Sequence, residues 1–371
     1  MDFDFSDEQL QLRDAVQRWA ERGYPFERRR AIATAGGFDA GVWRELTDLG
    51  LPGLTVPEAH GGMGLGPVEA MVVHEALGAA LLLEPLAHAH LASTVLQRHA
   101  SAAAQAAWLP RLAAGELVVL AHVEAQARHR WDRCHTEARH DGQGGVRLYG
   151  VKHVVPAGDH AAAWLVPAVH EGTLALWWVE RGAPGVRAQG YPLQDGSRGA
   201  DLMLDGAPAT LVTRAGEAAL AWLVDAGIAL LSAEAVGVMD RTLALTVDYL
   251  QTRKQFGVPI GSFQALRHRV ADMKMQLELA RSMAYYATLK LGEPEPQRRQ
   301  ALARAKVQLG QSMRYVGQQA VQLHGGIGVT DEYVVSHCFK RLTQLELTFG
   351  DTLHHLAEVS ARMTDDAGVT A

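Results

Sequence analysis

Arg253-Lys254-Gln255-Phe256-Gly257-Val258-Pro259-Ile260-Gly261-Ser262-Phe263-Gln264 lies between two long stretches of helical periodicity. Charge, amide, ring and turn chemistry meet here. An Arg suits anionic oxygens, a Gln a carbonyl or hydroxyl, and a Phe a flat group, which together fit a large phosphorylated, aromatic ligand. Gly257, Pro259 and Gly261 turn the chain, and Ser262 is placed to cap the next helix. A plain helix–helix turn that carries a basic residue is the alternative. A second stretch decides between them. Gln322-Leu323-His324-Gly325-Gly326-Ile327-Gly328-Val329-Thr330-Asp331-Glu332 ends another helix in three glycines, where backbone approaches a ligand closely.

Outward from these stretches the periodicity predicts three parts. Ser6 and Gln9 form a capping-box pattern, Phe5 and Leu10 the staple, and Leu12, Val16 and Trp19 follow. Helical spacing resumes at Val42-Trp43-Arg44-Glu45-Leu46, stops in the glycine- and proline-rich residues 49–66, and returns over 69–83, 85–96 and 103–114. Short β-rich runs then appear at 117–123, 146–155, 162–169, 173–179 and 201–204. Turns such as Asp141-Gly142-Gln143-Gly144-Gly145 and Asp195-Gly196 separate them. Long helices close the chain at 217–252, 262–291, 295–324 and from near Asp351. The expected fold class is α+β, mostly α. It has an N-terminal helical domain (1–116), a central antiparallel β-domain or barrel (117–212) and a C-terminal four-helix bundle (213–371).

A chain of 371 residues suffices for two or three domains, and 48% hydrophobic with 20% charged residues is ordinary globular composition. A net charge of -6 argues against nucleic-acid or anionic-membrane partners, which favour basic surfaces. Cys134 and Cys338 are too few for a disulfide framework and have no metal-ligand spacing. Met1-Asp2-Phe3-Asp4-Phe5 lacks the basic and apolar regions of a signal peptide, and no uncharged apolar run reaches bilayer-spanning length. A reducing, cytoplasmic setting is expected.

The two stretches, in this order and with Leu49-Gly50-Leu51-Pro52-Gly53-Leu54-Thr55-Val56-Pro57-Glu58-Ala59-His60-Gly61-Gly62-Met63-Gly64 upstream, resemble the acyl-CoA dehydrogenase family over nearly the whole chain. The resemblance implies FAD as cofactor, oxidation of an acyl-CoA thioester to the 2-enoyl-CoA, and an electron-transferring flavoprotein as acceptor. It also implies that each FAD reaches across to a neighbouring subunit. There an Arg-x-Gln-Phe-Gly segment holds the pyrophosphate and adenosine side, and a Gln-x-x-Gly-Gly segment completes the grip. By position Arg253, Gln255 and Phe256 carry the first role, and Gln322, Gly325 and Gly326 the second. Thr352 and His354 match positions that touch the adenosine half, with His replacing an amide.

Two departures stand out. On the flavin-ring side, the family's Thr-Glu segment leading into Gly-Ser-Asp is here Leu120-Ala121-His122-Val123-Glu124-Ala125-Gln126-Ala127-Arg128, retaining only Glu124. The family's Trp-Ile-Thr-Asn-Gly turn becomes Val154-Val155-Pro156-Ala157-Gly158, so a stacking indole and a hydroxyl donor are both lost. The second departure concerns the base. Removing the α-proton needs a positioned carboxylate, and most members place a Glu in a Tyr-Glu-Gly-Thr segment. That segment here is Phe349-Gly350-Asp351-Thr352, so Gly350 occupies the usual Glu position; the minority position falls on Gly227. Asp351 is the candidate catalytic carboxylate, with helix N-cap as its other reading. Glu234 and Asp240 are expected to face solvent or neighbouring helices.

His354, His355 and Glu358 invite a metal reading, but no His-Glu-x-x-His is present and solvated helix histidines are expected; no metal site is assigned. Intact reaching-across elements beside an eroded ring pocket and base imply a division of labour. The leading reading is the small subunit of a heteromeric acyl-CoA dehydrogenase, of the pimeloyl-CoA dehydrogenase type, whose large subunit carries the base. The alternatives are a self-sufficient homotetramer using Asp351 and a non-catalytic scaffolding subunit. Acyl chain length stays open, as does the choice among fatty, dicarboxylic, sterol and aromatic acids.

Overall fold

The capping box at the start of the chain forms as its spacing predicts. Ser6 N–H donates to Gln9 Oε1 (2.9 Å) and Gln9 N–H to Ser6 Oγ (3.2 Å), opening α1 (Asp7–Gly23). The computed structural model describes residues 5–363, so the N-terminal Met1-Asp2-Phe3-Asp4 read for a leader lies outside them. Next come α2 (Phe26–Thr34), α3 (Ala40–Asp48), α4 (Pro67–Ala80), α5 (Leu86–His99) and α6 (Ala102–Ala113). Asp39 caps α3 through Val42 N–H (2.8 Å), and Ser101 caps α6 through Ala104 N–H (3.2 Å). The charged run of α2 hides it from periodicity, although Arg29 and Ile32 are buried.

Seven strands follow: β1 (Val118–Leu120), β2 (Glu137–His140), β3 (Val146–Pro156), β4 (Ala163–His170), β5 (Thr173–Glu180), β6 (Val186–Pro192) and β7 (Arg198–Thr213). Their order is β1-β4-β2-β3-β7-β5, and β4 also pairs with β5, so the ladder closes on itself. The sheet is mixed, which corrects the purely antiparallel expectation: β4 is parallel to both β1 and β2. The reason is the long connection between β1 and β2, which carries the chain back before β2 enters beside β4. Neither β2 nor β6 was expected. Only Ala138 of β2 is buried, and β6 pairs with β7 alone, so neither carries a two-sided apolar pattern.

Helices then return as α7 (Gly216–Thr252), α8 (Gln264–Lys290), α9 (Glu295–His324), α10 (Val334–Leu347) and α11 (Thr352–Ala361). Between α7 and α8 a two-stranded hairpin, β8 (Lys254–Gln255) and β9 (Val258–Pro259), occupies the stretch that opens the sequence reading. α10 is an addition to the four expected segments; its buried Val335, Cys338, Leu342 and Leu345 recur at helical spacing. An 18-residue window of α7 has a mean hydropathy of 1.7, as apolar as a membrane span, but 94% of it is buried inside the chain. Asp225 and Glu234 interrupt this apolar helix, so the reading that no uncharged run spans a bilayer stands beside a core helix of spanning length.

The chain gathers into two compact units. One holds Gly23–Ala70 and Leu82–Gly227, with the sheet at its centre. There Trp108 stacks on Trp178 (4.6 Å between ring centroids) and the Trp43 indole donates to the Gly115 carbonyl (2.7 Å). The other holds Met1–Arg22, Met71–Leu81 and Ile228–Ala371. In it α4 crosses α7 at backbone contact: a Cβ on Gly78 would overlap the Glu234 carbonyl, and one on Gly237 the Glu75 carbonyl.

Candidate active site

At its C-terminal end α7 packs against the end of α9, where Tyr249 stacks on His324 with ring centroids 4.4 Å apart. Arg253 lies one turn beyond Tyr249, and Gln322 to Gly326 flank His324, so the two sequence stretches meet at one end of the helical unit. Arg253, Gln255, Gln322, Gly325 and Gly326 are all exposed. The Arg253 guanidinium makes no hydrogen bond or ion pair with any described residue, and Gln255 Nε2 donates only to the adjacent Lys254 carbonyl (2.8 Å). These donors are those an anionic, polar ligand takes, and no Cβ stands over Gly325 or Gly326. This part of the chain fits a dinucleotide.

Phe256 and Gly257 form the two-residue turn of the β8–β9 hairpin, with φ of 54° and 79°. Positive φ at both positions is a type I′ turn, which favours Asn-Gly. A Phe there is held in the left-handed region, at a cost of about 1–2 kcal/mol. Its ring is 91% exposed, touching Phe263 edge-on at 6.1 Å. Backbone strain and an uncovered aromatic ring coincide at one residue.

The region expected to hold a base is built differently. Gly350 is buried with φ of 103°, and a Cβ there would lie 2.6 Å from His354 Cδ2 and 2.7 Å from His355 Nε2. His355 is fully buried, which corrects the expectation of a solvated helix histidine: its ring fills the space inside the Phe349–Gly350 loop, with Nε2 2.9 Å from the Phe349 carbonyl. Burial, aided by the Lys306 charge, pushes its pKa down to about 3. Asp351 caps α11, accepting from His354 N–H at 2.7 Å. The Thr352 hydroxyl donates to the buried Glu346 (2.6 Å), and half-buried His354 stands 3.5 Å from Glu358. Burial raises the Glu358 pKa, but His354 and Arg299 outweigh it and hold it at about 2. Glu234 is buried against Arg341 (2.6 Å) and Asp240 is exposed, as expected.

In the sheet unit Glu124 is taken up internally. Its carboxylate accepts from Lys152 Nζ (2.6 Å), the Thr136 hydroxyl (2.7 Å) and the N–H groups of His135 (2.6 Å) and Thr136 (3.1 Å). Burial pushes its pKa up, but the Lys152 charge and these hydrogen bonds outweigh it, leaving about 2. Sequence reading missed Lys152; its signal was a cation on the same strand face as the buried Leu148. Val154 sits on a bulge of β3 with φ of 52°, 40% exposed, its N–H donating to the Tyr191 hydroxyl (3.1 Å). Pro156 ends the strand beside Gly199. The bulge's own side chains, Val154, Val155 and Pro156, supply neither an indole nor a hydroxyl.

Residues 6–116 match the family model described as acyl-CoA dehydrogenase, N-terminal domain, and residues 217–364 the one described as its C-terminal domain. Acyl-CoA dehydrogenase IpdE2 of Mycolicibacterium smegmatis is 31% identical over 338 residues, covering 91% of this chain and 92% of that protein. The chain belongs to the acyl-CoA dehydrogenase family. Two solved structures are similar to this acyl-CoA dehydrogenase chain throughout. The ChsE4-ChsE5 complex from Mycobacterium tuberculosis has a TM-score of 0.89 and 28% identity, covering 98% of this chain and 100% of the other. A variant of the Tcur3481-Tcur3483 steroid ACAD has a TM-score of 0.88 and 30% identity, covering 96% and 97%. As a member of this family the chain is an FAD-dependent oxidoreductase, and FAD is its cofactor.

Proposed function

We propose that this chain is the small subunit of a heteromeric acyl-CoA dehydrogenase that desaturates an acyl-CoA thioester, with the catalytic base on a homologous large subunit. The observation that carries the reading is Gly350: the usual position of the base has no side chain, and two histidines fill the space one would need. Asp351, the base of the homotetrameric alternative, is engaged as the cap of α11. Structures similar to this chain include a complex of two named components, ChsE4 and ChsE5.

In this reading Arg253 and Gln255 bind the pyrophosphate and adenosine side of a partner's FAD, Phe256 lies against it or against the partner, and Gln322, Gly325 and Gly326 close the grip. Thr352 and His354 line its adenosine half. FAD, when bound, supplies the two-electron acceptor for the Cα–Cβ bond. This chain's part is to bind and orient, at about 1.5–3 kcal/mol per charge-assisted bond, while a partner carboxylate takes the α-proton. Val154 and Pro156 offer the chain's own flavin ring neither stacking nor a hydroxyl, which supports a weak or empty site there. Exposed Met275, Leu279 and Leu289 on α8 supply further apolar surface for assembly into a tetramer. Residues 1–116, 117–212 and 213–371 act as its three working parts, electrons leave to an electron-transferring flavoprotein, and the setting is cytoplasmic.

The test is Arg253→Ala in the assembled enzyme. The expected result is a loss of bound flavin with the subunits still associated. Unchanged flavin content and rate would favour the scaffolding role instead.

A further inference from the structure

Where β2 and β4 end side by side, His140, His170 and Glu171 converge. We propose that they form a binding site for a divalent cation of the zinc class, which staples the end of β2 to the β4–β5 hairpin. The backbone sets up the convergence. β2 runs parallel to β4 with Ala138 opposite His170, and His140 is two residues past Ala138, so both imidazoles project from the same face. His170 pairs with Thr173 across a two-residue turn in which Glu171 and Gly172 have φ of 51° and 79°. That type I′ geometry is costly for Glu and fixes its carboxylate beside the two rings.

The donor atoms of the three residues all lie within 4.8 Å of one another. His140 Nε2 is 3.5 Å from Glu171 Oε1, and His170 Nδ1 is 3.9 Å from Glu171 Oε2. Ligands about 2.0–2.1 Å from a tetrahedral zinc stand roughly 3.4 Å apart, so closure needs about 1 Å of movement. The movement falls on the exposed side chains of His140 and Glu171, while His170 is held rigid, 4% exposed and edge-on to Trp177.

The observation that points to a ligand is His170 itself. Its Nε2 is buried without a hydrogen-bond partner, and its Nδ1 is too far from Glu171 for a hydrogen bond. Nδ1, on the side of Glu171 and not sealed inside, makes no hydrogen bond to that carboxylate and is the nitrogen open to a ligand. A cation at Nδ1 takes that nitrogen's lone pair and draws the carboxylate and His140 inward. Two imidazoles, one carboxylate and an open fourth position make a donor set suited to Zn²⁺, Co²⁺ or Ni²⁺ rather than Ca²⁺ or Mg²⁺.

The test uses the full-length, tag-free chain, stripped with EDTA and titrated with CoCl2 while visible absorption is recorded, then challenged with ZnCl2. The expected result is one Co²⁺ per chain with the intense visible bands of a four-coordinate site, displaced by Zn²⁺. Glu171→Gln and His140→Ala, both at exposed positions and checked to melt like the metal-free parent, should each weaken Co²⁺ affinity by at least about tenfold. Absence of saturable Co²⁺ and Zn²⁺ binding, or binding by both variants as tight as the parent's, would overturn the proposal and leave a bare His–Glu cluster.

Discussion

A Cβ placed on Gly350 would lie 2.7 Å from Nε2 of His355, a distance no ordinary contact allows. In the proposed reading, the position matched to the family's base is therefore crowded by a ring as well as lacking a carboxylate. Gly350→Glu is expected to destabilise the chain, because its φ of 103° disfavours any side chain and His355 has nowhere to retreat. The loss should be about 1–3 kcal/mol, with no gain in turnover. Thermal melts and an acyl-CoA oxidation assay read both. A variant that melts like the parent and turns over faster would show that the loop still accepts a base.

Asp351 separates the capping role from the catalytic one. Asp351→Ala should cost about 0.5–2 kcal/mol through loss of the bond from His354 N–H, while Asp351→Asn, itself a good cap, should keep most of the stability. In the assembled enzyme Asp351→Asn is expected to keep its rate. Abolished turnover with flavin still bound would make Asp351 the base.

The Glu124–Lys152 pair predicts an acid limb. The folded Glu124 pKa of about 2 lies below its ordinary 4.5, so the pair's stabilisation is complete above about 4.5 and fades as the pH falls towards 2. Lys152→Met strands a buried carboxylate and should cost about 3–5 kcal/mol at neutral pH. Adding Glu124→Gln should recover part of that loss and flatten the acid limb. Denaturant melts between pH 2 and 7 test it; a single variant as stable as the parent would rule out the pair as a structural element.

Phe256 carries a trade between the lone chain and the assembly. Phe256→Asn replaces a strained residue in the β8–β9 turn with one the turn favours, and should stabilise the isolated chain by about 1 kcal/mol. The same change should reduce flavin retention in the assembled enzyme. If stability and flavin content both stayed at parental values, Phe256 would have no part in the grip.

The sequence made the helical frame legible because long apolar periodicities such as those of α7 and α9 leave little choice of structure. It missed α2, whose charged run masks Ile32, and β2 and β6, which bury one residue and none and so show no apolar alternation. The parallel pairing of β4 with β1 and β2 was invisible because register depends on partners distant in the chain. At the site, Arg253 and the glycines after His324 announced themselves by residue type. The burial of His355 did not, since the leucines of its helix, Leu353 and Leu356, which sequence would turn inward, are the ones left exposed. Lys152 and the convergence of His140 with His170 depend on which strands become neighbours, which no local pattern encodes.

The most direct measurement is the flavin content and acyl-CoA turnover of this chain purified alone and then together with a homologous dehydrogenase that carries the glutamate. The account predicts little bound FAD and negligible turnover for the lone chain, with both appearing in the pair. A lone preparation with one FAD per chain that oxidises a thioester at the rate of the pair would contradict it.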